Sequence, residues 1–373
     1  MGSMSQAESP QVIPLTPPGR GAVATLLVEG PGAMKAVGAH FVARNGQPLR
    51  AEPDARLAIG RFGIEPGEEV VVRCRSAASV EVHCHGGYAA QAMIQQLLVA
   101  AGCRPLRWQD WVARQQADPI AAAAQLALAE ARTERTAAIL LDQYHGAGRR
   151  AIEGVEAAIR DRRWDDAREQ IDTLLARAPL GRHLVRPWQV VVAGRPNVGK
   201  SSLINALVGF GRSIVHHDAG TTRDVVTVRT AMQGWPVELA DTAGLHGGDD
   251  AIERAGIELA KQRLASADLA LLVFDLSAPW SDGDAAVLAC WPDALVVHNK
   301  CDLAAASGVA RPEGLCVSAL TPLGLDLLIG RIAERLVPQP PPSGAAVPFA
   351  DEQVAELLRL RQLCEAAAAN GSP

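Results

Sequence analysis

The segment that most constrains this chain is GRPNVGKS at Gly194–Ser201, which follows an apolar run, Gln189–Ala193, and precedes a helical segment, Ser202–Val208. The spacing GxxxxGKS between a strand and a helix is typical of a loop that wraps phosphate groups. Its glycines let backbone N–H groups curl around phosphates, and the helix N-terminus adds partial positive charge. We expect Lys200 to reach the β- and γ-phosphates and the Ser201 hydroxyl to hold Mg²⁺.

Two polar segments that follow the phosphate loop are suited to sensing the same ligand. Asp241-Thr242-Ala243-Gly244 comes directly after the apolar strand Val237–Ala240. An acid at that strand end can hold Mg²⁺ through water, and the Gly244 N–H can contact a γ-phosphate. Between the two motifs lies Gly220–Asp224, a loop suited to a switch whose threonine closes on Mg²⁺. Their order and spacing predict a nucleoside triphosphate site.

The choice of base is indicated by Asn299-Lys300-Cys301-Asp302, which follows the strand Leu295–His298. A carboxylate at Asp302 can accept hydrogen bonds from N1–H and the exocyclic amine of guanine, and adenine offers no such pair of donors. The pair Ser318-Ala319 follows another strand, Leu315–Val317, and would place a backbone N–H near the guanine oxygen. The sequence therefore predicts a site for GTP in preference to ATP.

The composition is that of an ordinary folded protein of two or three domains, with 373 residues, 48% hydrophobic and 21% charged. It excludes a wholly disordered or collagen-like chain. A net charge of −5 argues against nucleic-acid binding by bulk charge alone, and a local basic patch stays open. Seven scattered cysteines without a CxxC pair favour reduced thiols in a cytoplasmic protein. No run reaches the ~18 apolar residues of a membrane span, so we expect no membrane partner.

The composition and the periodicity of the sequence change several times along the chain. Residues 4–115 predict an α+β domain, and residues 116–186 are alanine-rich with helical periodicity. Residues 187–338 alternate strands and helices, as parallel sheets do. After a proline-rich linker, residues 345–373 hold an amphipathic helix that is too short to fold alone, so we expect it to dock on the earlier helical segment. The predicted fold is multidomain α/β, with a P-loop GTPase domain and its mostly parallel sheet inserted in an α-helical domain.

These motifs resemble those of the MnmE/TrmE tRNA-modification GTPases. The resemblance covers most of the chain and implies that the N-terminal α+β domain is folate-binding-like and that the helical domain is split. In the GTPase domain it is carried by Gly194–Ser201, Asp218–Asp224, Asp241–Leu245 and Ile252–Ile257, and in the first domain by Thr16–Gly21 and Glu81–Gly87.

The resemblance implies a mechanism in which a K⁺ ion beside the phosphates replaces an arginine finger when two GTPase domains meet. The family lacks a catalytic Gln after the DTAG motif, and Leu245 agrees. A fixed cation suits the charge that develops between the β- and γ-phosphates. The implied roles are K⁺ ligation for Asn197, Thr221, His216 and Asp218, Mg²⁺ ligation for Ser201, Thr222 and Asp241, and catalysis for Glu253, which orients water, together with Lys200 and Thr222. The implied GTP-binding residues are Asn197, Val198, Gly199, Lys200, Ser201, Ser202, Asp241, Gly244, Asn299, Lys300, Asp302, Ser318 and Ala319.

The family also implies partners: a homodimer formed through the N-terminal domain with transient contact of the GTPase domains, an FAD-binding subunit, and tRNA whose wobble uridine is modified. The chain departs from it where the family holds a tetrahydrofolate derivative. Leu27 stands where the family has an Arg, an N-x-K segment is missing, and only Glu81 matches a folate contact. The chain ends in Asn370–Pro373 without the family's Cys-x-Gly-Lys. The alternative is therefore a GTP-dependent switch or scaffold that has lost the folate and tRNA chemistry.

Overall fold

A computed structural model describes residues 9–17, 21–50, 57–210, 227–241, 267–304, 310–321 and 323–369. The chain divides into two compact units, Met1–Pro119 and Ile120–Pro373, called here the N-terminal and C-terminal units. Among the described helices, none combines the length and apolarity needed to cross a membrane.

The N-terminal unit is built on one sheet with helices. Its strands are β1 (Gln11–Pro14), β2 (Val23–Glu29), β3 (Phe41–Ala43), β4 (Ala58–Phe62), β5 (Glu68–Ser76), β6 (Ser79–His85) and β7 (Arg104–Pro105), and its helices are α1 (Ala33–Gly38), α2 (Tyr88–Ala100) and α3 (Trp108–Gln115). In the described residues the strand order is β3-β4-β5-β6-β2-β1-β7, antiparallel except for the pair β1 and β7.

Alternation along β2 and β6 decides which side chains enter the core of this unit. Leu26 and Val28 on β2 pack with Val80 and Val82 on β6 in one apolar cluster. Because successive residues of a strand point to opposite faces, Glu81 lies on the face away from that cluster. The sheet therefore carries one apolar face and one face with polar side chains.

The C-terminal unit combines helices with a second sheet. Its helices are α4 (Pro119–Leu128), α5 (Glu134–Tyr144), α6 (Ala147–Arg160), α7 (Trp164–Arg182), α8 (Lys200–Phe210), α9 (Asp282–Cys290), α10 (Leu325–Leu336) and α11 (Asp351–Ala369), and its strands are β8 (Trp188–Ala193), β9 (Thr227–Met232), β10 (Trp235–Asp241), β11 (Leu269–Asp275), β12 (Leu295–Asn299) and β13 (Leu315–Cys316). Over the described residues the strand order is β13-β12-β11-β8-β10-β9, parallel except for β9.

Strand β8 is apolar from Val190 to Ala193 because both faces of the sheet are covered. Val190 and Val192 pack into one core cluster, and Val191 and Ala193 pack into another on the opposite face. A continuous apolar run is what a parallel strand buried on both faces requires. The carboxyl ends of β8, β10, β11 and β12 meet at one edge of this sheet, where ligands of open α/β sheets bind.

The final helix, α11, docks on the earlier helical segment. Leu357, Leu360 and Cys364 of α11 share one core cluster with Ile171 and Leu174 of α7. An isolated helix of this length gains little stability in water, so this packing supplies what the helix lacks alone. Helix α8 begins at Lys200, two residues earlier than the expected start at Ser202. The chain enters the helix directly from the phosphate loop.

Candidate nucleotide site

The phosphate loop leaves β8 and is held close to its neighbours by two glycines. Gly194 and Gly199 have φ angles of +148° and +93°. A Cβ at Gly194 would lie 2.2 Å from the Val273 carbonyl oxygen, and a Cβ at Gly199 would lie 2.4 Å from Asn299 Nδ2. Contacts this short do not occur for real side chains, so both positions require glycine. The first helical hydrogen bond runs from the Leu203 N–H to the Gly199 carbonyl oxygen.

The ammonium group of Lys200 lies inside this loop. Its Nζ donates to the carbonyl oxygens of Gly194 and Arg195, at 3.0 Å and 2.9 Å. Burial lowers the pKa of Lys200 from its usual value, and the nearby Asp241 carboxylate opposes that shift. A compact cation held at the centre of a loop of backbone groups is placed to meet phosphate oxygens.

Ser201 and Asp241 meet although 40 residues separate them in the chain. The Ser201 hydroxyl donates to Asp241 Oδ2 at 2.5 Å. Asp241 is the last residue of β10 and is paired in register with Val192 of β8, so the carboxylate and the loop leave the sheet side by side. Hydroxyl and carboxylate oxygens are hard ligands of the kind Mg²⁺ prefers. Two of the three side chains expected to hold Mg²⁺, those of Ser201 and Asp241, are therefore together.

Asn299 joins two loops. It is buried, its Nδ2 donates to the Val198 carbonyl oxygen at 2.9 Å, and its Oδ1 accepts from the Ala319 N–H at 3.2 Å. The amide thus connects the phosphate loop with the segment after β13. The sequence predicts that a backbone N–H of the Ser318-Ala319 pair lies near the guanine oxygen, and here the Ala319 N–H donates to Asn299 Oδ1. The guanine contact of Ala319 stays a prediction.

Lys300 makes a second connection between the same regions. Its Nζ donates to the Asn197 carbonyl oxygen at 2.9 Å and to Asp275 Oδ2 at 2.5 Å. Burial acts to raise the pKa of Asp275, but hydrogen bonds from Lys300 and Ser277 outweigh it, so the pKa lies below the usual value. No motif in the sequence pointed to Asp275. Its signal was available, because it is a carboxylate at the carboxyl end of a parallel strand.

Two arginines that are not among the predicted site residues secure the loop after β11. Arg311 donates through Nη1 to the Asp275 carbonyl oxygen at 2.9 Å and through Nη2 to the Leu276 carbonyl oxygen at 3.1 Å. Arg195, inside the phosphate loop, donates to Ser281 Oγ at 2.8 Å. Nothing in the local sequence of Arg311 predicts these contacts, since its acceptors lie more than 30 residues away.

The remaining predicted residues divide by exposure. Ser318 is fully buried, and its Oγ accepts from the Leu320 and Thr321 N–H groups, which shapes the turn after β13. Asp302, Asn197 and Ser202 are exposed at the surface of the site. Six predicted residues lie outside the described part of the chain: His216, Asp218, Thr221, Thr222, Gly244 and Glu253.

The one matched folate residue, Glu81, lies in the N-terminal unit. Its buried carboxylate is 2.6 Å from Arg75 Nη2 and 3.7 Å from Arg73 Nη1. Leu27 lies directly opposite in the sheet register and is buried. The carboxylate is therefore engaged by cations of its own domain and faces an apolar neighbour.

Comparisons with known proteins match this chain to GTPases. A family model described as a 50S ribosome-binding GTPase matches residues 189–300. A tRNA modification GTPase MnmE of Prochlorococcus marinus is 35% identical over 363 residues, covering 84% of this chain and 77% of the relative. An MnmE of Thermus thermophilus is 32% identical over 389 residues, covering 94% of this chain and 88% of the relative. Among solved structures, Era of Aquifex aeolicus is 30% identical over 41% of this chain and 58% of its own, with a TM-score of 0.32.

Proposed function

Because the chain belongs to the MnmE family of tRNA modification GTPases and hydrolyses GTP, we propose that this hydrolysis depends on Mg²⁺, is stimulated by K⁺ and serves wobble-uridine modification of tRNA. The observation that carries the proposal is the meeting of Ser201, Asp241 and Lys200 at the carboxyl edge of one parallel sheet. A carboxylate, a hydroxyl and an ammonium group in this arrangement suit a metal–triphosphate.

In this proposal the metal ion, the phosphates and the attacking water are each bound by different residues. Ser201 and Asp241 hold Mg²⁺ together with Thr222, and Lys200 donates to the β- and γ-phosphates. When bound, Mg²⁺ neutralises charge on the phosphate oxygens. Glu253 orients the attacking water. Preorganised donors of this kind lower the barrier because they need no rearrangement as charge develops.

Asn197 is the described residue to which we assign K⁺. Its side chain is exposed at the rim of the phosphate loop. Its backbone has a φ of +64°, and its carbonyl oxygen accepts a hydrogen bond from Lys300 Nζ. Lys300 therefore contacts the backbone of Asn197 and not its side-chain amide oxygen. An amide oxygen is a suitable ligand for an alkali cation. Thr221, His216 and Asp218 complete the proposed site when two GTPase domains meet in a homodimer.

The cation is tested by GTP hydrolysis in KCl and NaCl at matched ionic strength, over a range of protein concentrations. We expect a higher rate in KCl that rises with protein concentration, and little dependence on the salt for Asn197→Ala. Asn45→Ala, an exposed asparagine of the N-terminal unit, is the matched control and keeps the wild-type difference. Equal wild-type rates in the two salts at every concentration would contradict the proposal.

Base selection is proposed to reside in the exposed carboxylate of Asp302. An amide in its place keeps one acceptor but presents a donor, which suits the second carbonyl of xanthine better than the amine of guanine. We therefore expect Asp302→Asn to lose affinity for GTP and gain affinity for XTP. Fluorescence titration with GTP and with XTP measures the two affinities, and unchanged GTP affinity would show that Asp302 does not contact the base.

We propose that binding of the family's folate derivative by the N-terminal unit is weakened or lost. A pterin ring presents N–H donors to a carboxylate, and the Glu81 carboxylate is already paired with Arg75 at 2.6 Å. The second candidate function, a GTP-dependent switch or scaffold without the folate chemistry, is favoured by this pairing. Calorimetric titration with a reduced folate tests it, and tight binding would count against it.

The role in tRNA modification is tested in a cell that lacks its own family member. We propose that the chain acts there with tRNA and an FAD-binding partner subunit. Restored wobble-uridine modification, read by mass spectrometry of digested tRNA, supports the proposal. A strain that expresses the chain with active GTPase and shows no modified uridine supports the switch instead. Lys200→Ala, expressed to the same level, is the negative control.

A further inference from the structure

Two cysteines lie next to the segments that we assign to the guanine base. Cys301 stands between Lys300 and Asp302, and Cys316 ends β13, two residues before Ser318. The Cys301 N–H donates to the carbonyl oxygen of Val317, the residue after Cys316, at 3.0 Å. Backbone hydrogen bonding therefore holds the two segments side by side.

Both thiols are within reach of small reagents. Cys316 is exposed and Cys301 is half-buried. Partial burial raises the pKa of Cys301, and the charge of a Cys316 thiolate raises it further. The hydrogen bond from the Cys301 N–H to Val317 places Cys301 beside the residue that follows Cys316. By contrast, four cysteines are buried in the cores of their units: Cys74, Cys84, Cys103 and Cys364.

We propose that Cys301 and Cys316 form a thiol modification site, which reacts with a low-molecular-weight disulfide, closes to an internal disulfide and thereby weakens binding of guanine nucleotide. The part concerning nucleotide rests on the proposed function of Asp302. The reaction is a thiol–disulfide exchange in which the small disulfide is reduced and the protein dithiol is oxidised.

The exchange proceeds in two balanced steps. The thiolate of exposed Cys316 attacks one sulfur of glutathione disulfide, which forms a mixed disulfide and releases one glutathione thiolate. The Cys301 thiolate then attacks the Cys316 sulfur and expels the second glutathione. Two protein thiols lose two protons and two electrons, and one glutathione disulfide becomes two glutathione molecules. Capping Cys316 also removes the charge that had raised the pKa of Cys301, which favours the second step.

The closed disulfide changes the geometry of the base segments. A disulfide holds its two Cα atoms at about 4.4–6.8 Å, with a fixed dihedral angle. Closure fixes Cys301 at this distance from Cys316, and with it the positions of its neighbours Lys300 and Asp302. On the other side Ser318 is fully buried and cannot follow easily. The loss of one charge-assisted hydrogen bond corresponds to a fall in affinity on the order of tenfold.

The test uses the full chain, treated with glutathione disulfide and freed of reagent. Peptide mass spectrometry without reduction maps the disulfide, and titration with a fluorescent GDP analogue measures affinity. We expect a Cys301–Cys316 link, an affinity about tenfold lower, and recovery after dithiothreitol. Cys301→Ser and Cys316→Ser should show no internal link and no loss. Cys290→Ser, at an exposed cysteine that ends α9, is the matched control and should respond as wild type.

Several outcomes would overturn the inference. Glutathione retained on Cys316 beside a free Cys301 would show that the pair cannot close. A mapped link with unchanged affinity would show that closure does not reach the base. A reduced protein that binds no guanine nucleotide would instead contradict the proposed function, and the disulfide map, which needs no nucleotide, separates that failure from the first.

Discussion

The ammonium group of Lys300 lies 2.9 Å from the carbonyl oxygen of Asn197, so the segment assigned to the base is joined directly to the loop assigned to the phosphates. Asn299 makes a parallel connection to Val198. A displacement at either end of the site is therefore transmitted to the other through two short hydrogen bonds.

Asn299→Ala should destabilise the C-terminal unit and weaken GTP binding. The substitution leaves the Val198 carbonyl and the Ala319 N–H without their partner in a buried place, which costs about 1–3 kcal/mol. Urea unfolding followed by circular dichroism measures the stability. Asn45→Ala, which removes an exposed amide that accepts from the Gln47 N–H of its own turn, should change it by less than Asn299→Ala does. Equal effects in the two variants would contradict the bridging role.

Asp275→Asn should destabilise the protein near neutral pH and lose its effect in acid. The pKa of folded Asp275 is below the usual 3.8, so its carboxylate contributes stability above that value and loses the contribution as the pH falls through the folded pKa. Melting temperatures of variant and wild type from pH 3 to 7 give the profile. We expect a gap that is constant at neutral pH and narrows below about pH 4.

The control for this profile is Asp293→Asn. Asp293 is exposed, and the contact described for it is made by its carbonyl oxygen, which accepts from Arg335. Its melting temperature should follow wild type at every pH. A gap for Asp275→Asn that persisted unchanged in acid would mean that the ion pair with Lys300 is not its cause.

Gly181→Ala and Gly209→Ala, both in helices, should have opposite effects. A Cβ at Gly181 of α7 would lie 1.8 Å from the Pro348 carbonyl oxygen, whereas a Cβ at Gly209 of α8 meets nothing within 4 Å. The first must push α7 from the segment before α11 and should cost about 2 kcal/mol or more. The second should stabilise by up to about 1 kcal/mol, because alanine favours helix. Chemical unfolding of both variants measures the free energy of unfolding. Similar losses of stability in the two would refute the steric argument.

Arg135→Ala should loosen the attachment of α5 to the β9–β10 hairpin. The guanidinium lies 4.8 Å from the ring centre of Trp235, and Nη1 donates to the Gln233 carbonyl oxygen at 2.8 Å. Loss of both contacts should cost about 1–2 kcal/mol and alter tryptophan fluorescence. Arg132→Ala, at an exposed arginine that precedes α5, should leave fluorescence unchanged. An identical spectrum for Arg135→Ala would contradict the stacking.

Cys84 and Cys103 should resist alkylation in the folded protein. Burial, as the largest cause, raises the pKa of each thiol to about 11, so at pH 8 only about one molecule in a thousand carries the thiolate. Iodoacetamide labelling followed by peptide mass spectrometry should modify the exposed Cys290 first, and both buried cysteines only after denaturation. Rapid labelling of either in the native protein would show that its core opens.

The phosphate loop was predictable because its conformation is local. Glycine at 194 and 199 permits backbone angles that other residues rarely adopt, and the apolar run before them specifies a strand covered on both faces. The start of α8 at Lys200 instead of Ser202 is a small error of the same reasoning. Helix starts depend on which N–H groups the loop satisfies, and residue type alone does not reveal that.

The sequence by itself determined the order of strand, loop and helix, the guanine-type motifs and the family, because each depends on neighbouring residues and their spacing. Tertiary structure alone decided that Asp275 pairs with Lys300, that Arg311 secures the loop after β11, and that Arg75 forms an ion pair with Glu81. These contacts join different strands and loops. Their partners are selected by which strand ends meet in space, and only the folded sheet brings those ends together.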